Sequence, residues 1–128
     1  GGIYDYHATW KRRIEKGFQT ALSVPGEHIN WVLGVETFDE ALKKLETFTL
    51  KGVAGKIECP FLLTHGEADA QISMDDAQKL FEEVGSKDKT LKVFTREEGG
   101  AEHCQRDNQT IGIAYIGDWL AERLASGG

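Results

Sequence analysis

Large apolar residues recur at Tyr6, Trp10, Ile14 and Phe18, and a spacing of four lays them along one face of a helix. Val24-Pro25-Gly26 interrupts that helix, and a short segment holding His28, Trp31 and Val32 runs from there to Gly34. Thr37-Phe38-Asp39-Glu40 has the form of a capping box, in which a Thr hydroxyl and a Glu carboxylate satisfy the first free amides of a helix. Phe38, Leu42, Leu45 and Thr49 continue its apolar face. Residues 5–55 therefore read as short helices without a strand between them. Before them, Ile3 to Tyr6 suits the end of a strand that begins upstream of residue 1.

The pattern changes at Cys59-Pro60. Phe61-Leu62-Leu63-Thr64 is a continuous apolar run, as expected of a parallel strand buried on both faces. Ser73 caps a helix with acids in its first turn, Ala77, Leu80, Phe81 and Val84 face inward, and Gly85 stops it. Leu91 to Phe94 is the next strand. After Gly99-Gly100, Asp107 or Asn108 caps a last helix whose buried stripe is expected to be Ile113, Ile116, Leu120 and Leu124. Two parts follow: residues 1–56, a strand end and a helical segment, and residues 57–128, an α/β half. No repeat, low-complexity tract or flexible linker separates them.

With 128 residues, 40% of them hydrophobic, the chain suffices for one modest core. A formal net charge of −6 argues against nucleic acid and anionic membranes as partners, since both select clustered cations. Lys11, Arg12 and Arg13 form the one basic cluster and read as a solvated helix face. No apolar run approaches the roughly 20 residues of a membrane span, and no signal-peptide pattern opens the chain, so the default expectation is cytoplasmic. Cys59 and Cys104 are expected to be free thiols. The chain lacks an initiator Met and starts directly on an aromatic segment, which suggests a piece of something longer.

Candidate chemistry lies just past the two apolar strands. His65-Gly-Glu-Ala-Asp69 places a carboxylate where it can orient an imidazole, and Glu98-Gly-Gly-Ala-Glu-His103 places an imidazole among small residues. Adjacent parallel strands would bring both loops to one edge of the sheet. Taken singly, Asp69 suits a loop cap and His103 a surface residue. His65, Glu67, Asp69, Glu102 and His103 also offer N and O ligands for a metal, but without a paired-His or Cys-cluster spacing. Cys104 adjoins His103, and neighbours in sequence on a loop seldom point at each other, so it reads as small packing.

On these residues, the segment from Cys59 to Leu124 resembles the C-terminal part of an α/β-hydrolase, whose triad runs Ser, then Asp or Glu, then His. Gly2-Ile-Tyr-Asp-Tyr-His-Ala-Thr-Trp10 and Gly99-Gly-Ala-Glu-His-Cys104 are similar to the branch containing fungal heptaketide hydrolases and bacterial 2,6-dihydroxypseudooxynicotine hydrolase. The resemblance implies part of a parallel sheet with a helical cap insertion, and cleavage of a carbon–carbon bond next to a ketone, or of an ester. It makes Asp69 and His103 the catalytic acid and histidine, with no cofactor or metal. Tyr4, Asp5, Tyr6, Trp10 and Trp31 become candidate substrate contacts and His28 a weaker one, with core packing the alternative for each aromatic. The expected partners are a small-molecule substrate and the missing N-terminal half of the same enzyme, with a homodimer left open. No Gly-x-Ser-x-Gly occurs, and Ser23, Ser73, Ser86 and Ser126 lack the strand-turn-helix setting of a nucleophile, so the chain alone is expected to be inactive. The rival expectation is a non-catalytic α/β binding module.

Overall fold

The computed structural model describes residues 2–17 and 26–126. Phe18, Ser23 and the Val24-Pro25 break lie outside them, as does the side chain of Ser126. Seven principal elements follow in order: α1 (Tyr6–Glu15), α2 (Glu27–Leu33), α3 (Phe38–Leu45), β1 (Phe61–Gly66), α4 (Met74–Glu83), β2 (Lys89–Phe94) and α5 (Gln109–Ser126). Short 3-10 turns occupy Ala54–Lys56 and His103–Gln105.

The first helices assemble around Trp10, Ile29, Ala41 and Leu45, with Leu33, Val35, Phe38 and Leu42 packed against them. Asp5 caps α1 by accepting from the Ala8 amide at 3.0 Å. The capping box of α3 forms as its sequence predicts: Glu40 N donates to the Thr37 hydroxyl at 3.3 Å, and Thr37 N to the Glu40 carboxylate at 3.1 Å. In α2 the inward residue is Ile29, while Trp31 is 79% exposed and lies against His28 on the outer side. Residues 4–6 run antiparallel to residues 48–50. Leu50 N donates to Tyr4 O at 2.9 Å and Tyr6 N to Phe48 O at 3.0 Å, around an isolated Asp5 and Thr49 bridge.

The second half is built on β1 and β2, parallel and in register from Phe61 opposite Lys89 to Gly66 opposite Phe94. Both strands extend beyond their apolar runs, so His65 belongs to β1 and not to the turn after it. One face of β1 is covered by α4, and Leu63, Ala77, Leu80 and Val84 close a core with Ala54. Ser73 caps α4 by accepting from the Asp76 amide at 3.2 Å. At the other end of α4 the Lys89 ammonium donates to the carbonyls of Phe81, Glu82 and Val84 at 2.7, 3.1 and 2.8 Å, neutralising the negative end of the helix.

Two expectations need correction. The stripe Ile113, Ile116, Leu120 and Leu124 of α5 faces outward, with Ile113 70% and Leu124 78% exposed. The helix packs instead by Gly112, Tyr115, Trp119 and Arg123, about 60–100° round the axis. Tyr115 meets the Phe94 ring edge-on, and the Trp119 indole donates to the Thr90 hydroxyl at 3.1 Å. Arg123 lies over the Trp119 ring and grips Asp88 through two bonds of 2.7 and 2.8 Å. These rings carry polar handles that β2 can satisfy, which the aliphatic stripe does not. Nor are Arg12 and Arg13 a solvated face. Arg12 pairs at 3.0 Å with Asp76, whose side chain is buried, and Arg13 donates to the Gln71 side chain at 3.3 Å while covering the Trp10 ring. The two cations join the helical segment to the first turn of α4 and to the loop before it.

This packing separates two classes of substitution. Leu80→Ala is expected to lower stability to urea by about 2–5 kcal/mol, the usual cost of a buried large-to-small change. Ile113→Ser should change it by no more than about 0.5 kcal/mol, as for a surface site. An equal loss from both would mean that the outward stripe of α5 is packed.

Candidate active site

The register of the sheet brings the ends of β1 and β2 level, so the loops that leave them start side by side. They then meet backbone to backbone. A Cβ placed on Gly66 would stand 2.1 Å from the Ala101 carbonyl oxygen, so only glycine lets β1 run so close to the second loop. The same carbonyl accepts from Ala68 N at 2.9 Å, and Glu67 N donates to Phe94 O at 2.9 Å.

Asp69 follows on a tight turn closed by its own amide on Gly66 O at 3.0 Å. Its Oδ1 accepts from the amides of Gln71 and Ile72 at 2.8 and 3.0 Å, leaving Oδ2 directed at the other loop. There His103 Nδ1 lies 2.9 Å away. The Asp69 side chain is 1% exposed and that of His103 25%. Burial alone would raise the Asp69 carboxyl, but the Ile72 amide, the His103 ring and the Gln71 amide outweigh it and hold the group below the ordinary range. Asp69 is therefore ionised near neutrality and can only accept. The hydrogen on the imidazole sits on Nδ1, and Nε2 keeps a lone pair for a proton.

The histidine loop is held by a residue that the sequence reading assigned elsewhere. Asp107 does not cap α5; its two oxygens reach back to the amides of Gly100, Ala101 and Glu102 at 2.9, 3.0 and 3.0 Å. Asn108 faces the helix, with Oδ1 3.5 Å from Ile111 N. His65 lies buried in β1, where desolvation lowers its pKa and its Nδ1 has no hydrogen-bond partner. Arg13 of the helical segment interacts electrostatically with Asp69. Burial lowers its pKa, while Tyr6 and Asp69 attract its charge.

The other sequence candidates disperse. Tyr4 donates to Glu83 and packs against the α4 core, and that bond pushes its pKa up to about 12. Tyr4 and Tyr6 line an apolar cavity of about 360 Å3 with Ile3, Phe48 and Leu50. Trp10 is buried among the first helices, Asp5 is engaged as a helix cap, and Trp31 and His28 sit on the far side of α2. Of the five proposed metal ligands, Glu67 accepts from Arg96 N at 2.5 Å and Glu102 pairs with Arg106 at 3.6 Å. No group of three or more His, Cys, Asp or Glu side chains among the described residues is placed to hold a metal ion. Ser73 donates to Asp76, and Ser86 is buried and donates to Asp88 O, so both hydroxyls are occupied in structure.

The acid loop falls inside a stretch, residues 28–98, that matches the family model described as serine aminopeptidase, S33. The match covers more than half of the chain. The chain belongs to this α/β-hydrolase family. The chain is also 39% identical over 79 residues to 20-hydroxy-prefusarin hydrolase FUS2 of Gibberella moniliformis (strain M3125 / FGSC 7600). That alignment covers 57% of this chain and 19% of the relative, so the chain spans about a fifth of the relative's length. The family match is to hydrolases, and the relative is itself named a hydrolase. The S33 match ends before His103, so the histidine enters through geometry, by its approach to an acid that the match does cover.

Asp69→Asn is expected to keep an oxygen for the Gln71 and Ile72 amides and to turn an N–H toward His103. The ring then reverses its tautomer, with hydrogen on Nε2, which 15N imidazole shifts read directly. The variant should lose about 1–3 kcal/mol of stability near neutral pH. Because the Asp69 pKa is depressed on folding, its share is present above its unfolded value of about 4 and is lost as pH falls through the lower folded value. The gap between wild type and variant in urea unfolding should therefore narrow below about pH 4. A gap that widens there would contradict the depressed carboxyl.

Proposed function

We propose that this chain supplies the acid and the histidine of a Ser-Asp-His hydrolase, and that a neighbouring segment supplies the serine and the oxyanion hole. The observation that carries the reading is the 2.9 Å approach of Asp69 Oδ2 to His103 Nδ1, with the carboxylate buried and held below its ordinary pKa. In that role His103 Nε2 takes the proton from the serine as its oxygen attacks a carbonyl carbon. It then gives the proton to the leaving group, while Asp69 stays ionised and stabilises the imidazolium.

Within the hydrolases, the reading favours a carbon–carbon bond next to a ketone, with an ester as the simpler variant, in a small polyketide-like or aromatic substrate. Support comes from the Gly2–Trp10 and Gly99–Cys104 motifs and from the likeness to a protein named 20-hydroxy-prefusarin hydrolase. When the bond to the ketone carbon breaks, its electron pair passes to the adjacent carbon as an enolate, and the proton on Nε2 completes that product. Water then releases the acyl group from the serine. Among the candidate substrate contacts, Tyr4 and Tyr6 already share an apolar cavity, whereas Asp5, Trp10 and Trp31 are proposed on the motif alone. No cofactor is required, and we place the enzyme in the cytoplasm; no helix among the described residues is long and apolar enough to cross a membrane.

The segment with the serine is proposed to dock where the sheet is open. Among the described residues β1 is paired along one edge only. Beside it, Pro60, Phe61, Leu62 and Thr64 form with Ile116, Trp119 and Leu120 a cavity of about 340 Å3. A parallel strand on that edge would use the free backbone groups of β1, and its helix would cover the outward stripe of α5.

The test compares two polypeptides with a serine-directed fluorophosphonate and with paired ester and β-diketone substrates. The 128-residue chain is expected to remain unlabelled and to turn over neither. A polypeptide joining it to a strand-turn-helix unit with Gly-x-Ser-x-Gly should be labelled, and His103→Ala should reduce its turnover by at least about a thousandfold. Labelling of the 128-residue chain would mean that it holds its own nucleophile. Turnover indifferent to His103→Ala would favour a non-catalytic module.

A further inference from the structure

The turn that carries His103 is bent in a way its own residues disfavour. Cys104 (φ 54°, ψ 29°) and Gln105 (φ 53°) lie consecutively in the left-handed region, where a Cβ crowds the following carbonyl and glycine is the usual occupant. Neither side chain compensates. Cys104 is exposed and free, and Gln105 is buried with its amide nitrogen unpartnered. The bend is closed by Gln105 N on Glu102 O at 3.0 Å, Arg106 N on His103 O at 3.3 Å and Asn108 N on Gln105 O at 2.9 Å, and the segment that leads into it needs a hold of its own.

Asp107 is the group in position to supply it. Oδ2 accepts from Gly100 N and Ala101 N, and Oδ1 from Glu102 N, so three successive amides leading into His103 converge on one carboxylate from beyond the bend. Bonds of this kind to an ionised acceptor are roughly twice as strong as neutral ones. The middle residue of the three, Ala101, also presents the carbonyl that takes the Ala68 amide and abuts Gly66. Segment 100–102 is thus gripped on one side by Asp107 and presses with the other against the loop of Asp69. Arg106, the nearest cation in sequence, pairs with Glu102.

We propose that Asp107 is a positioning residue for the Asp69–His103 pair: by fixing the amides of residues 100–102 it locks the left-handed bend and sets the imidazole over the carboxylate. The proposal rests on the reading of that pair as an acid–histidine dyad. Asp107 touches neither substrate nor reacting atoms, and it acts only through the geometry of the loop.

Asp107→Asn keeps the size of the side chain but turns an N–H2 group toward amides that also donate. In the 128-residue chain, amide exchange at Gly100, Ala101 and Glu102 is expected to quicken at least about tenfold, the loss of a single charge-assisted bond. The 15N shifts of His103 should move from the Nδ1–H tautomer toward the average of a free ring. Exchange at Leu63 and Leu91, in the two strands, should be unchanged, as should the urea midpoint of the core. Asn108→Ala is the control, since it loosens the start of α5 and should leave His103 as in the wild type. An unmoved His103 in Asp107→Asn, an equal movement in Asn108→Ala, or collapse of the whole fold in Asp107→Asn would each overturn the proposal. Failure of the underlying dyad is read separately, as a wild-type His103 that lacks the Nδ1–H tautomer.

Discussion

The α-carbon of Gly66 has room for a hydrogen and nothing larger on the side facing Ala101, and the approach of Asp69 to His103 depends on that gap. Parallel pairing sets the ends of β1 and β2 level, but a Cβ at position 66 would stand 2.1 Å from the Ala101 carbonyl oxygen and force the two loops apart. With glycine at the contact, the second loop lies against the first through Ala101, and a bond of 2.9 Å can span from Asp69 to His103. Sheet register provides the coarse alignment and backbone contact the fine one. A carboxylate and an imidazole mounted on mobile side chains over a wider gap would lose rotamer entropy comparable to the worth of their bond.

Much of this arrangement is legible in the sequence because it rests on short-range rules. Phe61 to Thr64 reads as a buried parallel strand since no polar residue interrupts it, and the Thr37 to Glu40 box declares its helix through local hydrogen bonds. The pairing of Asp69 with His103 follows from order and from one strand-helix-strand unit between them. Legibility fails where the outcome depends on what an element meets. The periodicity of α5 contains two admissible faces, and the aliphatic one is the more obvious. Tyr115, Trp119 and Arg123 win because Phe94, Thr90 and Asp88 on and before β2 offer an aromatic edge, a hydroxyl and a carboxylate at matching heights. Arg12 and Arg13 mislead for the same reason: their partners, Asp76 and Gln71, are some 60 residues away along the chain.

The first helices pack around Trp10 and Ile29 and the α/β half around Leu63 and Leu80, and Tyr4, Leu50 and Ala54 of the first segment join the second core. Beside that apolar contact run polar ties: Arg12 to Asp76, Arg13 to Gln71, and Glu83 to both the Tyr4 hydroxyl and the Gly52 amide. Polar ties are directional, whereas apolar contact tolerates sliding. Two of these ties end on the loop and the first helical turn that follow Asp69, so they orient the first helices relative to the site.

The two loop carboxylates show how one residue type takes two roles. Asp69 and Asp107 both receive successive backbone amides, and both are thereby held ionised against the cost of leaving water. Asp107 is exposed and places both oxygens on three amides of its own loop. Asp69 confines its amides to Oδ1, and Oδ2 is left facing outward at the moment the chain turns toward His103. The difference lies in the turn and not in the side chain. A bend in which Gln71 N and Ile72 N come round on one oxygen leaves the other for chemistry, whereas a loop that surrounds both oxygens spends the charge on its own shape.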